Sequence, residues 1–409
     1  MTKQTQSNLS FADLGLSDKL LAILKQNNFN IPSPIQHQAI PAALEGKDLI
    51  GIAQTGTGKT LAFGLPMIQR IAQNNGQGLI LLPTRELAIQ VDENLQKIGR
   101  SLGLKTAVLI GGASMGKQIS DLRRDPHIII ATPGRLVDHL QQRIVNLNKI
   151  TVMVLDEADR MLDIGFLPQI KQILALAPKK KQLLMFSATM PNEVARLASE
   201  HMHLPLRIEV APSGTAANNI EQEIFMISKE VRMQLLEKLL ADYPGTILVF
   251  SRTKHGAKKI AAGVRQMGHS ATEIHSNRSL AQRKDAMSGF KSGKYRVMIA
   301  TDIAARGIDV NNISLIINYD LPSNSEDYVH RIGRTARAGK SGKAISFATP
   351  SERGEIKSIE RLIRKTIPIM ILPVLPPRRS LPPGNYHNLN NGNNRFQGGR
   401  NRGFQKRFR

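Results

Sequence analysis

Short apolar blocks recur along the chain, most of them closed by turn residues and followed by sequence of helical period. They occupy residues 49–52, 79–82, 107–110, 128–131, 152–155 and 183–186 in the first half. In the second half they occupy 247–250, 297–300, 315–317 and 344–347. A brief apolar run bounded by turns reads as a strand buried on both faces. Between the blocks, stretches such as 85–102 and 231–240 repeat their apolar positions every three to four residues and predict amphipathic helices. The alternation predicts an α/β fold of mostly parallel sheets flanked by helices. Such sheets bind ligands beyond the carboxyl ends of their strands, so chemistry is expected just after each block.

The alternation is interrupted at residues 211–219 (APSGTAANN), where small and polar residues follow one another without a period. This predicts a linker between two domains, 1–210 and 220–367. From 368 the sequence turns Pro-rich and then rich in Asn, Gly and Arg. Residues 368–409 hold eight Arg or Lys and no acid. Such a segment buries too little apolar surface to fold by itself, and 368–409 is expected to be a disordered basic tail.

Charge sharpens the picture. The 409 residues include 56 Lys and Arg against 32 Asp and Glu, a formal net charge of +24. That excess points to a polyanionic partner, either nucleic acid or an anionic surface, and charge alone leaves both open. The absence of cysteine excludes disulfides, thiolate metal sites and thiol nucleophiles. No apolar run is long enough to span a bilayer and residues 1–10 lack the apolar core of a signal peptide, so the expected compartment is the cytoplasm.

Residues 53–60 read Ala53-Gln54-Thr55-Gly56-Thr57-Gly58-Lys59-Thr60 between an apolar block and a helical pattern. Glycines let successive backbone N–H groups turn inward around phosphate oxygens, the lysine neutralises charge, and the threonine hydroxyl reaches magnesium. Ala53 stands where the first glycine of such loops usually lies, a position that needs only a small side chain. Residues 111–117 (GGASMGK) carry a similar spacing, but Gln118 follows and has no hydroxyl for a metal, so a tight turn after a strand is the better reading. The block 152–155 ends in Asp156-Glu157-Ala158-Asp159. An aspartate at a strand tip beside a phosphate loop suits magnesium, and a neighbouring glutamate suits activation of water. Acids after strands also serve as helix caps.

These two motifs, together with Ser187-Ala188-Thr189 and His330-Arg331-Ile332-Gly333-Arg334-Thr335-Ala336-Arg337, resemble those of the DEAD-box ATP-dependent RNA helicases. The resemblance runs from about residue 11 to about residue 367 and implies two RecA-like domains, ATP and Mg2+ as ligands, and RNA as partner. It implies Lys59, Asp156, Glu157, Arg334 and Arg337 as catalytic residues, the last two as arginine fingers that the second domain brings to the γ-phosphate. Thr60 and Asp156 would hold the metal. Phe29 and Gln36 would read adenine, an amide offering one donor and one acceptor to the base edge. Asp309 would contact the ribose. Asp159, Ser187, Thr189 and His330 would couple the ATP and RNA sites.

The same resemblance implies an RNA track through Arg85, Gly112, Thr132, Arg135, Arg252 and Thr301. Each lies just after a predicted strand, which suits phosphate and sugar contacts with little sequence preference. Arg283 keeps a family position, whereas Leu280 stands where glutamine is common. Arg and Phe interleaved in the tail suit a sequence-tolerant RNA tether. The reading is an RNA-stimulated ATPase that unwinds short RNA duplexes and remodels RNA–protein complexes by closing two domains on single-stranded RNA. The alternative is an ATP-gated RNA clamp with little unwinding. The expected molecule is a monomer without membrane contact, and ribosome-assembly or RNA-decay proteins are candidate partners.

Overall fold

The computed structural model describes residues 10–54, 56–210, 220–305, 313–335 and 342–377. Seven strands make the first sheet: β1 (Leu49–Ile52), β2 (Gln77–Leu81), β3 (Thr106–Leu109), β4 (Ile128–Ala131), β5 (Ile150–Leu155), β6 (Gln182–Ser187) and β7 (Leu206–Glu209). Seven more make the second: β8 (Ile220–Met226), β9 (Ile247–Phe250), β10 (Ala271–Ile274), β11 (Val297–Ala300), β12 (Leu315–Asn318), β13 (Gly342–Ala348) and β14 (Ile369–Met370). The spatial orders are β3-β4-β2-β5-β6-β1-β7 and β10-β11-β9-β12-β13-β8-β14. Counted within each lobe, the two orders are the same. The described residues therefore hold one sheet architecture twice.

All pairings between these strands are parallel. Parallel neighbours need crossover connections, and the helices that supply them cover both faces of each sheet. Each lobe accordingly has two apolar clusters, one on either side of its sheet. In the first lobe Phe63, on the helix Lys59–Asn74, meets Phe186 of β6 with ring centroids 5.5 Å apart. That contact seats the helix carrying the phosphate-loop lysine on the sheet.

The ten apolar blocks all form strands, with ends shifted by a residue or two. Four strands lie outside the blocks, and each stands at or next to a sheet edge. β10 carries the buried Glu273, which Arg265 holds at 2.9 Å and Arg278 holds from the other side. In β8, Glu223 accepts from Lys343 of β13 at 2.7 Å. Where a polar side chain is paired across strands, a strand is no longer an apolar run. The boundary at 367 also shifts: β14 adds to β8 beyond it, Leu375 packs on the second lobe, and Gln234 Nε2 donates to the Pro376 carbonyl at 2.6 Å. Residues 378–409, most of the expected tail, lie outside the described residues, as does the expected linker at 211–219.

Candidate active site and nucleic-acid interface

Strand order separates the motifs of the first lobe into two groups. The neighbours β5, β6 and β1 end in Asp156, Ser187 and Ala53, whereas β3, β4 and β2 end near Gly112, Thr132 and Arg85. The Ala53 N–H donates to the Ser187 carbonyl at 2.9 Å, so the phosphate loop leaves the sheet directly beside the Ser-Ala-Thr motif. Gln54 is half-buried, and Thr57 Oγ1 donates back to its carbonyl at 2.7 Å. Gly56 and Gly58 take φ of +86° and +90°, a left-handed backbone that admits glycine without strain. Thr55 lies outside the described residues.

Lys59 is buried against Asp156, with Nζ 3.9 Å from Oδ1, too far for a hydrogen bond. Among the described residues its ammonium has no hydrogen-bond partner, nor has Glu157 Oε2. A buried cation and a buried carboxylate oxygen left unpaired beside a glycine loop fit a ligand that brings its own anionic oxygens and a cation. Burial pushes the Asp156 carboxyl up to about 6, against the opposing pull of Lys59. The half-buried Thr60 follows Lys59 on the same helix, so a hydroxyl and a carboxylate suited to Mg2+ lie on adjoining elements. Glu157 has φ +54°, an uncommon conformation for a residue with a side chain, and its N–H donates to Asp156 Oδ1 at 2.9 Å.

Asp159 is engaged by the Ser-Ala-Thr motif. Its Oδ2 accepts from the N–H groups of Ala188 and Thr189 at 3.2 and 2.8 Å and from Thr189 Oγ1 at 2.8 Å. The Asp159 N–H in turn donates to Ser187 Oγ at 3.2 Å. The acid motif and the Ser-Ala-Thr motif are one hydrogen-bonded unit.

Gln36 is buried, although taken alone it suggests an exposed helix position. Its Nε2 donates to the Gly58 carbonyl at 3.0 Å and its Oε1 accepts from the Ser33 N–H at 2.9 Å. The amide thus braces the phosphate loop, keeping one N–H and one lone pair for a base. A cavity of about 550 Å³ is lined by Phe29, Gln36, Lys59, Asp156 and Glu157, and by Arg334 of the second lobe. The helix Arg85–Gly99 closes its far side with Gln90, Asn94 and Lys97, which the sequence did not mark out.

The arginines of the second lobe divide. Arg331 is consumed within its own lobe, donating to both carboxylate oxygens of Asp302 at 2.5 and 2.8 Å and lying over Phe250. A spacing of three residues would set Arg331, Arg334 and Arg337 along one side of a continuous helix. The helix Ser325–Ile332 in fact stops short of Arg334, because Gly333 begins a turn in which Arg334 N–H donates to the Arg331 carbonyl at 3.1 Å. That turn carries the buried Arg334 toward Lys59 and Glu157. His330 shares a small pocket with Arg160, Asp327 and Arg334. Arg337 and Asp309 lie outside the described residues.

Of the RNA-track residues, Arg85 lies against Gly112, where φ is +74° and a side chain would strike the guanidinium. Thr132 is buried at the start of the helix Pro133–Gln141, and Arg135 follows on that helix. Arg252 donates to the Leu321 carbonyl at 3.1 Å and pairs with Glu352 at 3.3 Å, while Thr301 is half-buried after β11. Two ion pairs formed by side chains outside the candidate set join the lobes. Glu86, beside Arg85, pairs with Arg283 at 2.7 Å, and Arg160, beside Asp159, pairs with Asp327. Burial raises the Glu86 carboxyl above its ordinary value, with Arg283 opposing. Leu280 packs on the apolar cluster of the first lobe.

A family model described as DEAD/DEAH box helicase matches residues 33–197, and one described as helicase conserved C-terminal domain matches residues 231–339. The chain is 43% identical over 363 residues to the ATP-dependent rRNA helicase RRP3 of Debaryomyces hansenii, covering 88% of this chain and 76% of that one. The chain belongs to the DEAD-box helicase family. It is likewise 42% identical over 369 residues to the DEAD-box ATP-dependent RNA helicase CshA of Bacillus cereus, 90% of this chain and 70% of that one. Among solved structures, S. cerevisiae Dbp5 bound to RNA and ADP BeF3 superposes with TM-score 0.79 at 31% identity, covering 88% of this chain and 95% of that one. Like its DEAD-box relatives, the protein is an ATP-hydrolysing RNA helicase that binds ATP and RNA. Among the described residues, no helix is long and apolar enough to cross a membrane.

Proposed function

We propose that ATP, gripped from both lobes, closes them on single-stranded RNA, and that closure separates short duplexes and remodels RNA–protein complexes. One observation carries this reading: Arg334 of the second lobe lines the same cavity as Lys59, Asp156 and Glu157 of the first. A triphosphate there meets charged groups of both lobes, so its binding energy favours their approach. RNA laid across Arg85, Gly112, Thr132 and Arg135 on one side and Arg252 and Thr301 on the other favours the same approach. Each ligand then tightens binding of the other, because coupling is reciprocal.

The residues take distinct parts. Phe29 and Gln36 receive the adenine, Ala53–Thr60 the phosphates, and Asp309 the ribose. Lys59 neutralises the β/γ charge. Thr60 and Asp156 would hold Mg2+, which supplies charge neutralisation at the phosphate oxygens. Glu157 orients and deprotonates the attacking water, and Arg334 with Arg337 stabilises the charge that develops on the transferred phosphoryl group. The unit formed by Asp159, Ser187 and Thr189, with His330 across the cleft, passes the state of the nucleotide to the RNA track. Backbone-directed contacts make recognition sequence-tolerant. A cytoplasmic monomer working beside ribosome-assembly or RNA-decay proteins agrees with this reading.

The deciding experiment measures ATP turnover by the purified protein alone, with single-stranded RNA and with single-stranded DNA, and strand separation of a short RNA duplex with ATP. RNA-selective stimulation with ATP-dependent separation is expected. Stimulation without separation identifies an RNA clamp, and equal stimulation by DNA removes the RNA-specific reading.

A further inference from the structure

Gln118, which disqualifies residues 111–117 as a phosphate loop, is the buried residue of the helix Met115–Leu122. Its amide has two hydrogens and one oxygen with two lone pairs. Nε2 donates to the carbonyl of Ile110 at 3.0 Å and toward that of Ala113 at 3.4 Å, the two residues that bracket Gly111 and Gly112. Oε1 faces Nε2 of His139 at 3.0 Å. With both amide hydrogens committed to carbonyls, the oxygen must accept, so His139 carries its hydrogen on Nε2. His139 is 0% exposed and sits on the helix Pro133–Gln141, whose first turn presents Thr132 and Arg135.

We infer that Gln118 and His139 are positioning residues for RNA: they fix the Gly111–Gly112 turn relative to Thr132 and Arg135, so that separate loops meet successive backbone phosphates at one spacing. The geometry supports this beyond ordinary packing. Gly112 takes a positive φ and lies against the Arg85 guanidinium, so the turn that Gln118 brackets is also the surface on which Arg85 rests. One amide thereby links elements after β2, β3 and β4, the three strands whose tips carry the first lobe's RNA track. Neither residue lines the cavity that holds Lys59 and Glu157. Burial holds the His139 ring below the ordinary histidine value, with Arg135 adding to the effect, so near neutral pH the ring is uncharged and donates a single hydrogen.

The inference rests on the assignment of Gly112 and Arg85 to RNA, and the test separates the two. Gln118→Met keeps length and volume while removing both donors and the acceptor. Turnover is measured against RNA concentration and against ATP concentration, together with binding of a labelled single-stranded RNA in a non-hydrolysable ATP analogue. The variant is expected to need about tenfold more RNA for half-maximal turnover, the scale of one lost buried hydrogen bond. Its KM for ATP and its turnover at saturating RNA stay within about twofold of the parent, since those groups lie elsewhere. His139→Leu shifts the RNA requirement the same way, the double variant is no worse than Gln118→Met, and His139→Gln, which keeps an N–H donor, restores binding. Should Gln118→Met be too unstable to assay, Gln118→Glu, which gives up both donors, carries the same expectation. An unchanged RNA requirement overturns the inference, and so does an equal loss toward ATP and RNA, which would mark a general packing role. Arg85→Ala is the control: if it too leaves RNA binding unchanged, the RNA track itself is misassigned.

Discussion

Glu157 does two unusual things at once. It keeps a carboxylate oxygen buried without a hydrogen-bond partner among the described residues, and it holds a left-handed backbone that costs about 1 kcal/mol or more for a residue with a side chain. Neither feature favours folding, and both make sense if the site awaits a water to be activated. Glu157→Gln preserves shape and removes the carboxylate proposed as the base. We expect ATP turnover to fall by roughly 10²–10⁴-fold with ATP and RNA binding retained, as read by single-turnover hydrolysis and equilibrium binding. Loss of ATP binding as well would show that the residue belongs to the binding set. Gly58 is the complementary case: at φ +90° an added Cβ meets the Gln36 amide. Gly58→Ala should therefore cost about 1–2 kcal/mol of stability and raise the KM for ATP, both measurable by thermal melts and steady-state kinetics. An unchanged KM would mean that the loop does not close around phosphate as described.

Elements decide what single residues cannot. The turn after β5 and the turn after β6 are tied by Asp159, whose carboxylate takes three hydrogen bonds from Ala188 and Thr189. Removing that carboxylate strands several buried donors together. Asp159→Ala is expected to lower stability by about 2–3 kcal/mol and to reduce the factor by which RNA stimulates turnover, while unstimulated turnover stays closer to the parent. Denaturant melts and ATPase assays with and without RNA check both. If the stimulation factor is unchanged, the unit is a structural cross-link and does not couple the sites.

On the scale of the molecule, the lobes meet through Arg160–Asp327, Glu86–Arg283, Leu280 and Arg334. Arg160 adjoins Asp159 and Glu86 adjoins Arg85, so one interface touches the neighbourhoods proposed for both ligands. Asp327→Asn leaves Arg160 buried against a neutral amide in the arrangement described above and has no such cost in the open state proposed for the lobes. RNA affinity measured with a non-hydrolysable ATP analogue should drop about tenfold, within the usual range of coupling energies, while RNA affinity without nucleotide stays put. Equal losses under both conditions would show that Asp327 acts within its own lobe.

Much of this was legible in the chain itself. Apolar blocks located ten of the fourteen strands among the described residues because a strand buried on both faces must be apolar throughout. The phosphate loop and the acid motif could be read because their chemistry lies between neighbours in sequence. Of the other four, β10 and β8 escaped because Glu273 and Glu223 are paired with arginine and lysine partners that only folding brings near, and β7 and β14 are short edge strands with mostly exposed residues. Gln118 was likewise opaque, since its partners Ile110 and His139 lie on two other elements. Local periodicity thus determined the elements and local chemistry the loops. Which loops share a cleft, which arginine enters the cavity beside Lys59 and which is spent on its own lobe were set by strand order and by a turn at Gly333, properties of three-dimensional neighbourhood that no spacing along the chain encodes.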